Sequence, residues 1–404
     1  MGYGLVDADN HYYESEDCFT RHGDEEIQRF VKWYSQGKKR FVAFGQTFQT
    51  MVPKPTFNPV TKPGIMHKRL KELAEGGERR NLDNNESLRW GGQIEPLSEH
   101  YQDRDARLRV MDEQGVDKVW MFPTLAVGVE GLNPAMVQMT YKLFHSFNRW
   151  LEEDWGWNYE DRIISAAAIP VLDPVEATKE LEAVLDRGAR LIVLRPGPAN
   201  GRSPADLSWD PFWSRVQEAD VPVTYHVHGG GDAYDDAFRL LWQRNGVSDR
   251  VYDQALRTTL FGGDRTILDT VAALVLGNLF GRFPKLRIAT IELGCAWVPY
   301  CLHMLDHAGL SITDRYIEAF GQKSAERPSE IFKRHFWVSP FPEEDVIGLT
   351  SLIGVDHVLF GSDWPHSEGT EQPGDYVRYI KALDDGDRRK VLRENALSLL
   401  APSP

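Results

Sequence analysis

The sequence predicts a (β/α)8 TIM barrel with a long insertion in its first βα loop, and three observations support this fold class. After residue 100, short apolar runs alternate with longer segments of helical periodicity. The apolar runs are continuous, as is typical of parallel strands buried on both faces. No GxGxxG motif follows the first strand, which disfavours a doubly wound sheet. With the opening run included, the eight predicted strands span 5–11, 116–124, 162–170, 189–197, 221–229, 286–294, 335–341 and 357–366.

The segments between these strands carry the periodicity and the end signals of helices. Asp173 and Pro174 are typical of a helix start, and Gly188 is typical of a helix end. Ser208 or Asp210 is the expected cap of the helix that follows. The predicted helices span 103–116, 133–155, 173–189, 208–220, 264–284, 296–308, 326–335, 343–355 and 386–400.

Residues 14–101 interrupt this alternation between the first and second strands. We therefore predict one domain, residues 1–404, with residues 14–101 as an insertion. Loops of this length in a compact domain are usually functional, so we expect a lid or a subunit contact, which makes a dimer plausible. Within it we predict a hairpin over 38–52 that turns at Gly45 and a helix over 65–76, and the loop 229–246 is a second lid candidate.

Composition excludes several classes of function. A formal net charge of −14 disfavours a nucleic-acid partner, because phosphate-binding surfaces are normally basic. No apolar stretch is long enough to span a membrane, and the N-terminus lacks the pattern of a signal peptide. Three cysteines without a CxxC pair favour a reducing, cytoplasmic setting. The expected partner is a small molecule.

Polar side chains cluster at the predicted carboxyl ends of the strands, where barrel enzymes place their chemistry. Carboxylates and imidazoles that converge on one point are typical ligands of zinc, iron or manganese. We therefore expect a divalent metal ion, zinc first, with manganese or iron as alternatives. The strand-end residues are Asp9, His11, Arg195, His226, His228, Glu292, Asp363 and His366.

The first strand shows the pattern most directly. Asp7, Asp9 and His11 occupy alternate positions, so a regular strand would direct all three to one face. Such a group is expensive to bury unless an ion lies between its members. Asp7 lies deeper, so we expect it to support the ligands rather than to bind metal.

Several motifs resemble the ACMSD-like, amidohydrolase-related branch of the amidohydrolase superfamily. FGSDWPH followed by RENALSLL is the most specific of them. The resemblance covers nearly the whole chain. The motifs are DADNH (7–11), RPGPANGRSPADLSWDPFW (195–213), YHVH (225–228), FPKLRIATIE (283–292), FGSDWPH (360–366) and RENALSLL (393–400).

This resemblance implies a TIM barrel whose metal ligands include Asp9, His11 and His226, with Asp363 as a metal-contacting general base. Two positions depart from the family pattern. Many members have HxH on the first strand, where this chain has Asp9. Decarboxylases of the branch carry a proton-handling histidine where this chain has Glu292, which disfavours simple decarboxylation.

Metal-assisted hydrolysis is the leading expectation. A metal held by Asp9, His11, His226 and Asp363 would lower the pKa of a bound water, and Asp363 would accept its proton. Glu292 would complete the metal shell or relay the proton. For substrate contact we expect Arg195, His228 and His366, the first two suiting a carboxylate.

Three alternatives stay open at this stage. A decarboxylase would release CO₂ without hydrolysis. An iron or iron–manganese oxygenase would hydroxylate a small acid, as the carboxylate-rich shell allows. A non-catalytic barrel would bind metal and support a related second chain, as a hetero-oligomer.

Overall fold

The structure is a computed structural model. It describes residues 2–36, 39–45, 51–53, 59–66, 68, 94–131, 135–227, 234, 263–311 and 326–402. The predicted helix 65–76 and the loop 229–246 lie almost entirely outside these residues, and so does His228.

Parallel strands form the centre of the fold. Their bounds are β1 Leu5–Tyr12, β7 Val116–Pro123, β9 Ile163–Ser165, β10 Ala167–Ala168, β11 Ile192–Leu194, β12 Val223–His226, β13 Ile288–Ile291 and β14 Phe336–Val338. The first three of these belong to one sheet, where they lie in the order β1-β7-β9, and the other five form a second sheet with the order β10-β11-β12-β13-β14. Every neighbouring pair among these strands is parallel.

Hydrogen bonds connect the two sheets at both of their edges. On one side, Ala166 N donates to Met121 O while Ala167 N donates to Leu191 O, so β9 and β10 form one continuous run. On the other side, the segment that includes Val358 and Trp364 bridges β14 to β1. The strands are thus linked in a ring, in the order expected for the predicted barrel.

The predicted eighth strand, 357–366, is not a regular strand. Within the described part of the chain it makes two isolated parallel bridges, Val358 to Val338 and Trp364 to Asn10. Its chain turns sharply at Asp363, whose φ is 54°. This turn lies between the two bridges and brings the carboxyl group of Asp363 to 3.3 Å from Nε2 of His11.

Helices follow the strands as the periodicity predicts, and their apolar faces pack against one large buried core. The predicted helix 264–284 is split, because Asn278 adopts a left-handed conformation with φ of 55°. None of the described helices combines the length and the apolar character needed to cross a membrane. The main helices span Arg104–Gln114, Val137–Asp154, Pro174–Asp186, Asp210–Ala219, Asp264–Leu276, Leu279–Arg282, Val298–Leu310, Pro328–His335, Val346–Ile353, Asp385–Arg389 and Asn395–Leu400.

Residues 14–101, the predicted insertion, include the helix Glu25–Phe30 and the short strands β2 Val31–Gln36, β3 Lys39–Phe44, β4 Met51–Pro53, β5 Val60–Thr61 and β6 Ile94–Glu95. An antiparallel sheet has the order β2-β3-β4, and a second pair joins β5 to β6. The predicted hairpin is confirmed in its two arms, β3 and β4, while β2 is a further strand that the sequence did not indicate. A separate short strand, β8 Asn158–Tyr159, pairs with β9.

Candidate metal centre

Five of the predicted site residues lie at the carboxyl ends of strands and meet inside the ring. Asp9 and His11 lie in the second half of β1, and His226 is the last residue of β12. Glu292 follows β13 directly, and Asp363 lies in the bridging segment. Glu292 and Asp363 both have positive φ, 52° and 54°. Strained backbone at non-glycine residues is concentrated at functional sites in proteins.

His11 lies at the middle of this cluster. Its Nε2 atom is 3.3 Å from Oδ1 of Asp9 and 3.3 Å from Oδ1 of Asp363. The same atom is 3.3 Å from Nε2 of His226, which is in turn 3.2 Å from Oε2 of Glu292. Two overlapping sets have donor atoms within 4.8 Å of one another: Asp9, His11, His226 and Glu292, and His11, Glu292, Asp363 and His366.

The donor atoms fit a divalent cation. Oδ1 of Asp9 is fully buried and makes no hydrogen bond within the described part of the chain. Burial alone would raise the pKa of Asp9, but the imidazoles of His11 and His226 lower it to about 2. Burial lowers the pKa of His11 to about 3, so its ring is neutral at pH 7. A carboxylate and neutral imidazoles are the forms in which these side chains bind metal.

The remaining carboxyl groups suffer mutual repulsion. Burial, followed by the charge of Asp9, raises the pKa of Asp363 well above its ordinary value. Burial and then the charge of Asp363 do the same to the pKa of Glu292. A cation between these groups would offset both the desolvation and the repulsion.

His366 belongs to this centre through Asp363. Its Nδ1 atom is 2.7 Å from Oδ1 of Asp363, and its Nε2 atom is 3.0 Å from Oγ1 of Thr124. Its ring lies over that of His11, with centroids 4.0 Å apart. The sequence suggested His366 for substrate contact, whereas the structure pairs it with a carboxyl group in a geometry suited to proton transfer.

Arg195 does not lie among the donor atoms. Its side chain is buried, and its Nε donates to Oε1 of Glu130 over 2.9 Å. The same oxygen accepts a hydrogen bond from Val171 N. Sequence reasoning missed Glu130, because one glutamate in a predicted loop carries no periodic or motif signal. If Arg195 binds substrate, as predicted, it does so while its Nε is already bonded to Glu130.

Asp7 supports the candidate ligands, as expected, and it does so through hydrogen bonds from Ser362 and Asn10. Its carboxylate accepts hydrogen bonds from Ser362 N and Oγ at 2.9 and 2.6 Å, and from Asn10 Nδ2 at 3.0 Å. A register shift between Asp7 and Asn10 breaks the alternation of β1. Asp7 therefore ties β1 to the segment that carries Asp363 instead of sharing one set of ligands with Asp9 and His11.

Arg107 is the main supporting residue that the sequence did not reveal. It is fully buried, and its Nη1 donates to Asn10 Oδ1 and His11 O at 2.6 and 2.9 Å. Its guanidinium lies 4.5 Å above the ring of Trp364. Arg107 thus connects the helix Arg104–Gln114 to the backbone of a candidate ligand. An arginine in an amphipathic helix normally lies on the solvated face, so nothing in the sequence indicated that Arg107 is buried.

We expect the Ser362→Ala variant to lose about 1–3 kcal/mol of unfolding free energy, because it leaves the buried Asp7 carboxylate without its shortest hydrogen bond. Urea denaturation of the metal-loaded protein measures this loss. Ser351→Ala is the matched control, since the Ser351 hydroxyl is exposed on a helix and bonds only to Ile347 O among the described contacts. The control should change stability by less than about 0.5 kcal/mol. Equal effects of the two substitutions would contradict the role of Asp7.

A comparison with protein families decides the membership of this chain. The family model described as "Amidohydrolase" matches residues 97–401, which is more than half of the 404 residues. The chain belongs to the amidohydrolase family. The resemblance that the motifs indicated is therefore confirmed.

Solved amidohydrolase structures share the fold. A crystal structure of an amidohydrolase from Mycobacterium avium subsp. paratuberculosis K-10 is 36% identical, with a TM-score of 0.84 over 100% of this chain and 99% of that one. A dihydroxybenzoic acid decarboxylase from Polaromonas sp. JS666, with bound manganese and 2-nitroresorcinol, is 18% identical. Its TM-score is 0.60, over 98% of this chain and 97% of that one. These amidohydrolase neighbours imply the predicted TIM-barrel fold.

Curated relatives of this amidohydrolase include decarboxylases. The gamma-resorcylate decarboxylase of Polaromonas sp. JS666 is 26% identical over 316 residues, which cover 73% of this chain and 86% of that protein. Relatives of this kind favour the decarboxylase alternative over metal-assisted hydrolysis, the reaction that the sequence had suggested first.

Proposed function

We propose that this chain is a metal-dependent, non-oxidative decarboxylase of a small hydroxylated carboxylic acid. The observation that carries the proposal is the hydrogen-bonded pair Asp363–His366 beside the donors Asp9, His11 and His226. Decarboxylation leaves an electron pair on carbon that must receive a proton, and this pair is a proton source at the centre. Relatives named for decarboxylation of gamma-resorcylate or dihydroxybenzoic acid support the same class of substrate.

Asp9, His11 and His226 would hold the metal ion, with Glu292 and Asp363 beside them. When bound, a divalent ion supplies a Lewis acid that orients the carboxylate of the substrate and withdraws negative charge from it. We place manganese ahead of zinc and iron, because the dihydroxybenzoic acid decarboxylase that shares this fold was solved with manganese.

The side chains then have separate tasks. The bond between the carboxyl carbon and its neighbour breaks, CO₂ leaves, and its neighbour keeps the electron pair. Asp363, whose carboxyl is 2.7 Å from His366 Nδ1, delivers a proton to that carbon and is reprotonated through His366. The histidine that related decarboxylases carry at the position of Glu292 is then not required as a proton donor.

We also propose that residues 14–101 cover the centre as a lid within one domain, residues 1–404. Gly64 N donates to His366 O at 3.0 Å, and Met66 N donates to Ser367 O at 2.7 Å. Tyr101, at the end of the insertion, stacks on Trp364 with centroids 5.8 Å apart. The insertion thus contacts the segment that carries Asp363. A homodimer, pairing with a related chain and a cytoplasmic location stay predictions.

Metal analysis combined with a CO₂ assay tests the proposed function. We expect about one divalent ion per chain, and one CO₂ released for each 2,6-dihydroxybenzoate or related hydroxybenzoate consumed. Removal of the ion with a chelator should abolish the reaction, and manganese should restore it. His226→Gln should lose the ion, whereas the matched control His303→Gln, on an exposed helix position, should keep it.

Three results would contradict the proposal. A protein without metal under conditions that retain it would remove the centre. Iron together with O₂ consumption would favour the oxygenase. Hydrolysis of an ester or amide without CO₂ release would restore the hydrolase.

A further inference from the structure

A small chamber adjoins the candidate metal centre. It has a volume of about 30 Å³ and lies between the carboxyl ends of β7, β10, β11 and β12. Its walls are mainly apolar, with Ala168 and Val193 among them, and its polar lining includes Arg195, Glu130 and His226. About 10–15 Å³ suffices for one water-sized group, so this chamber accepts a single small substituent rather than a ring.

The polar end of the chamber has an unused hydrogen-bond donor. The side chain of Arg195 is 2% exposed, and its Nη1 atom is buried without a hydrogen-bond partner among the described residues. An unsatisfied buried donor is destabilising, so such a donor in a cavity indicates a ligand. Glu130 holds the guanidinium through Nε, while Val171 N fixes the same carboxylate oxygen.

The chamber and the metal centre share a wall. His226 lines the chamber, and its Nε2 atom is one of the candidate metal donors. Phe122 stacks on the His226 ring with centroids 4.8 Å apart, which fixes the ring between the two spaces. A molecule at the centre would need to extend a substituent past His226 to reach Arg195.

We propose that this chamber is a specificity subsite that receives one hydroxyl group of the substrate, whose oxygen accepts a hydrogen bond from Nη1 of Arg195. Glu130 is a positioning residue that holds the guanidinium. The inference deepens the proposed function and rests on it for the location of the substrate carboxylate. It assigns to Arg195 a hydroxyl instead of the carboxylate that the sequence suggested.

Charge selects the hydroxyl group. The ion pair Arg195–Glu130 has no net charge, so it offers a directed donor without attracting a second anion. A carboxylate placed there would meet the nearby charge of Glu130. The subsite should therefore prefer acids with a hydroxyl substituent over dicarboxylic acids.

Binding to the manganese-loaded protein tests the subsite independently of turnover. The probes are benzoate, 3-hydroxybenzoate, 4-hydroxybenzoate, 2,6-dihydroxybenzoate and isophthalate, measured by calorimetry. We expect at least one hydroxybenzoate to bind 10-fold or more tightly than benzoate. Arg195→Met should reduce that preference to less than 3-fold, with the benzoate affinity and the manganese content unchanged. Arg202→Met is the control and should keep the preference, because Arg202 follows the same strand, β11, but does not line the chamber.

A second variant separates the subsite from a purely structural ion pair. Glu130→Gln keeps an acceptor for Arg195 but removes the negative charge, so affinity for isophthalate relative to the best hydroxybenzoate should rise at least 5-fold. If Arg195→Met fails to fold, Arg195→Lys and Glu130→Gln still report on the preference.

The outcomes distinguish this inference from the proposed function. Equal loss of affinity for all probes in Arg195→Met, an unchanged preference, or no preference in the native chain would overturn the subsite. An Arg195-dependent preference in a protein that releases no CO₂ would leave the subsite in place and refute the decarboxylase.

Discussion

The Asp363→Asn variant is expected to keep its metal ion and to lose 10²- to 10⁴-fold in the rate of CO₂ release. This range is typical for removal of a general acid or base. The amide cannot carry the proton that the carbon needs, and it breaks the exchange with Nδ1 of His366. Asparagine tolerates the left-handed backbone at this position, where φ is 54°, so the turn itself should survive. Single-turnover kinetics and metal analysis of the purified variant measure both effects.

Asp220→Asn is the control for this substitution. Asp220 is also an aspartate with positive φ, 52°, but it precedes β12, at the end of that strand opposite to His226, and it pairs with Arg287. The control should retain its activity within about 2-fold. A rate for Asp363→Asn within 10-fold of the native rate would refute Asp363 as the proton donor. Complete loss of metal would show that its role is to hold the ion.

The Arg107→Met variant is expected to lose about 3–5 kcal/mol of unfolding free energy. The substitution keeps an apolar stem but deprives two buried acceptors, His11 O and Oδ1 of Asn10, and the partly buried His100 O of their donor. Each buried acceptor left alone costs about 1–3 kcal/mol. Burial lowers the pKa of Arg107 to about 9, so the native side chain is still charged at pH 7. Urea denaturation at pH 7 measures the loss, and metal affinity should fall with it because β1 carries Asp9 and His11.

The same helix offers a matched control for Arg107. Arg109 is 65% exposed, and its one ion pair with the described residues is a long surface contact with Glu99, at 3.6 Å. Such pairs contribute little to stability, so Arg109→Met should lose less than about 0.5 kcal/mol. Stabilities of the two variants within 1 kcal/mol of each other would show that the contacts of Arg107 are not needed.

Local patterns in the sequence determined the order of elements and the composition of the centre. Continuous apolar runs and helical periodicity depend on which neighbours along the chain share a face, and they predicted the first seven strands and most of the described helices, although not the irregular segment 357–366 or the break at Asn278. Parallel strands place their carboxyl ends at one side of a barrel, so that Asp9, His11, His226, Glu292 and Asp363 were expected together before any distance was known.

Only the tertiary structure decided what supports those side chains and what partners they take. Glu130 lies 65 positions from Arg195, and Arg107 lies 97 positions from Asn10, yet each pair is in direct contact. No periodicity along the chain encodes such a contact, because it arises when distant segments pack and buried polar groups must find donors. The register shift in β1 and the turn at Asp363 could not be predicted from the sequence for the same reason. Both depart from regular geometry at the place where the polar side chains converge.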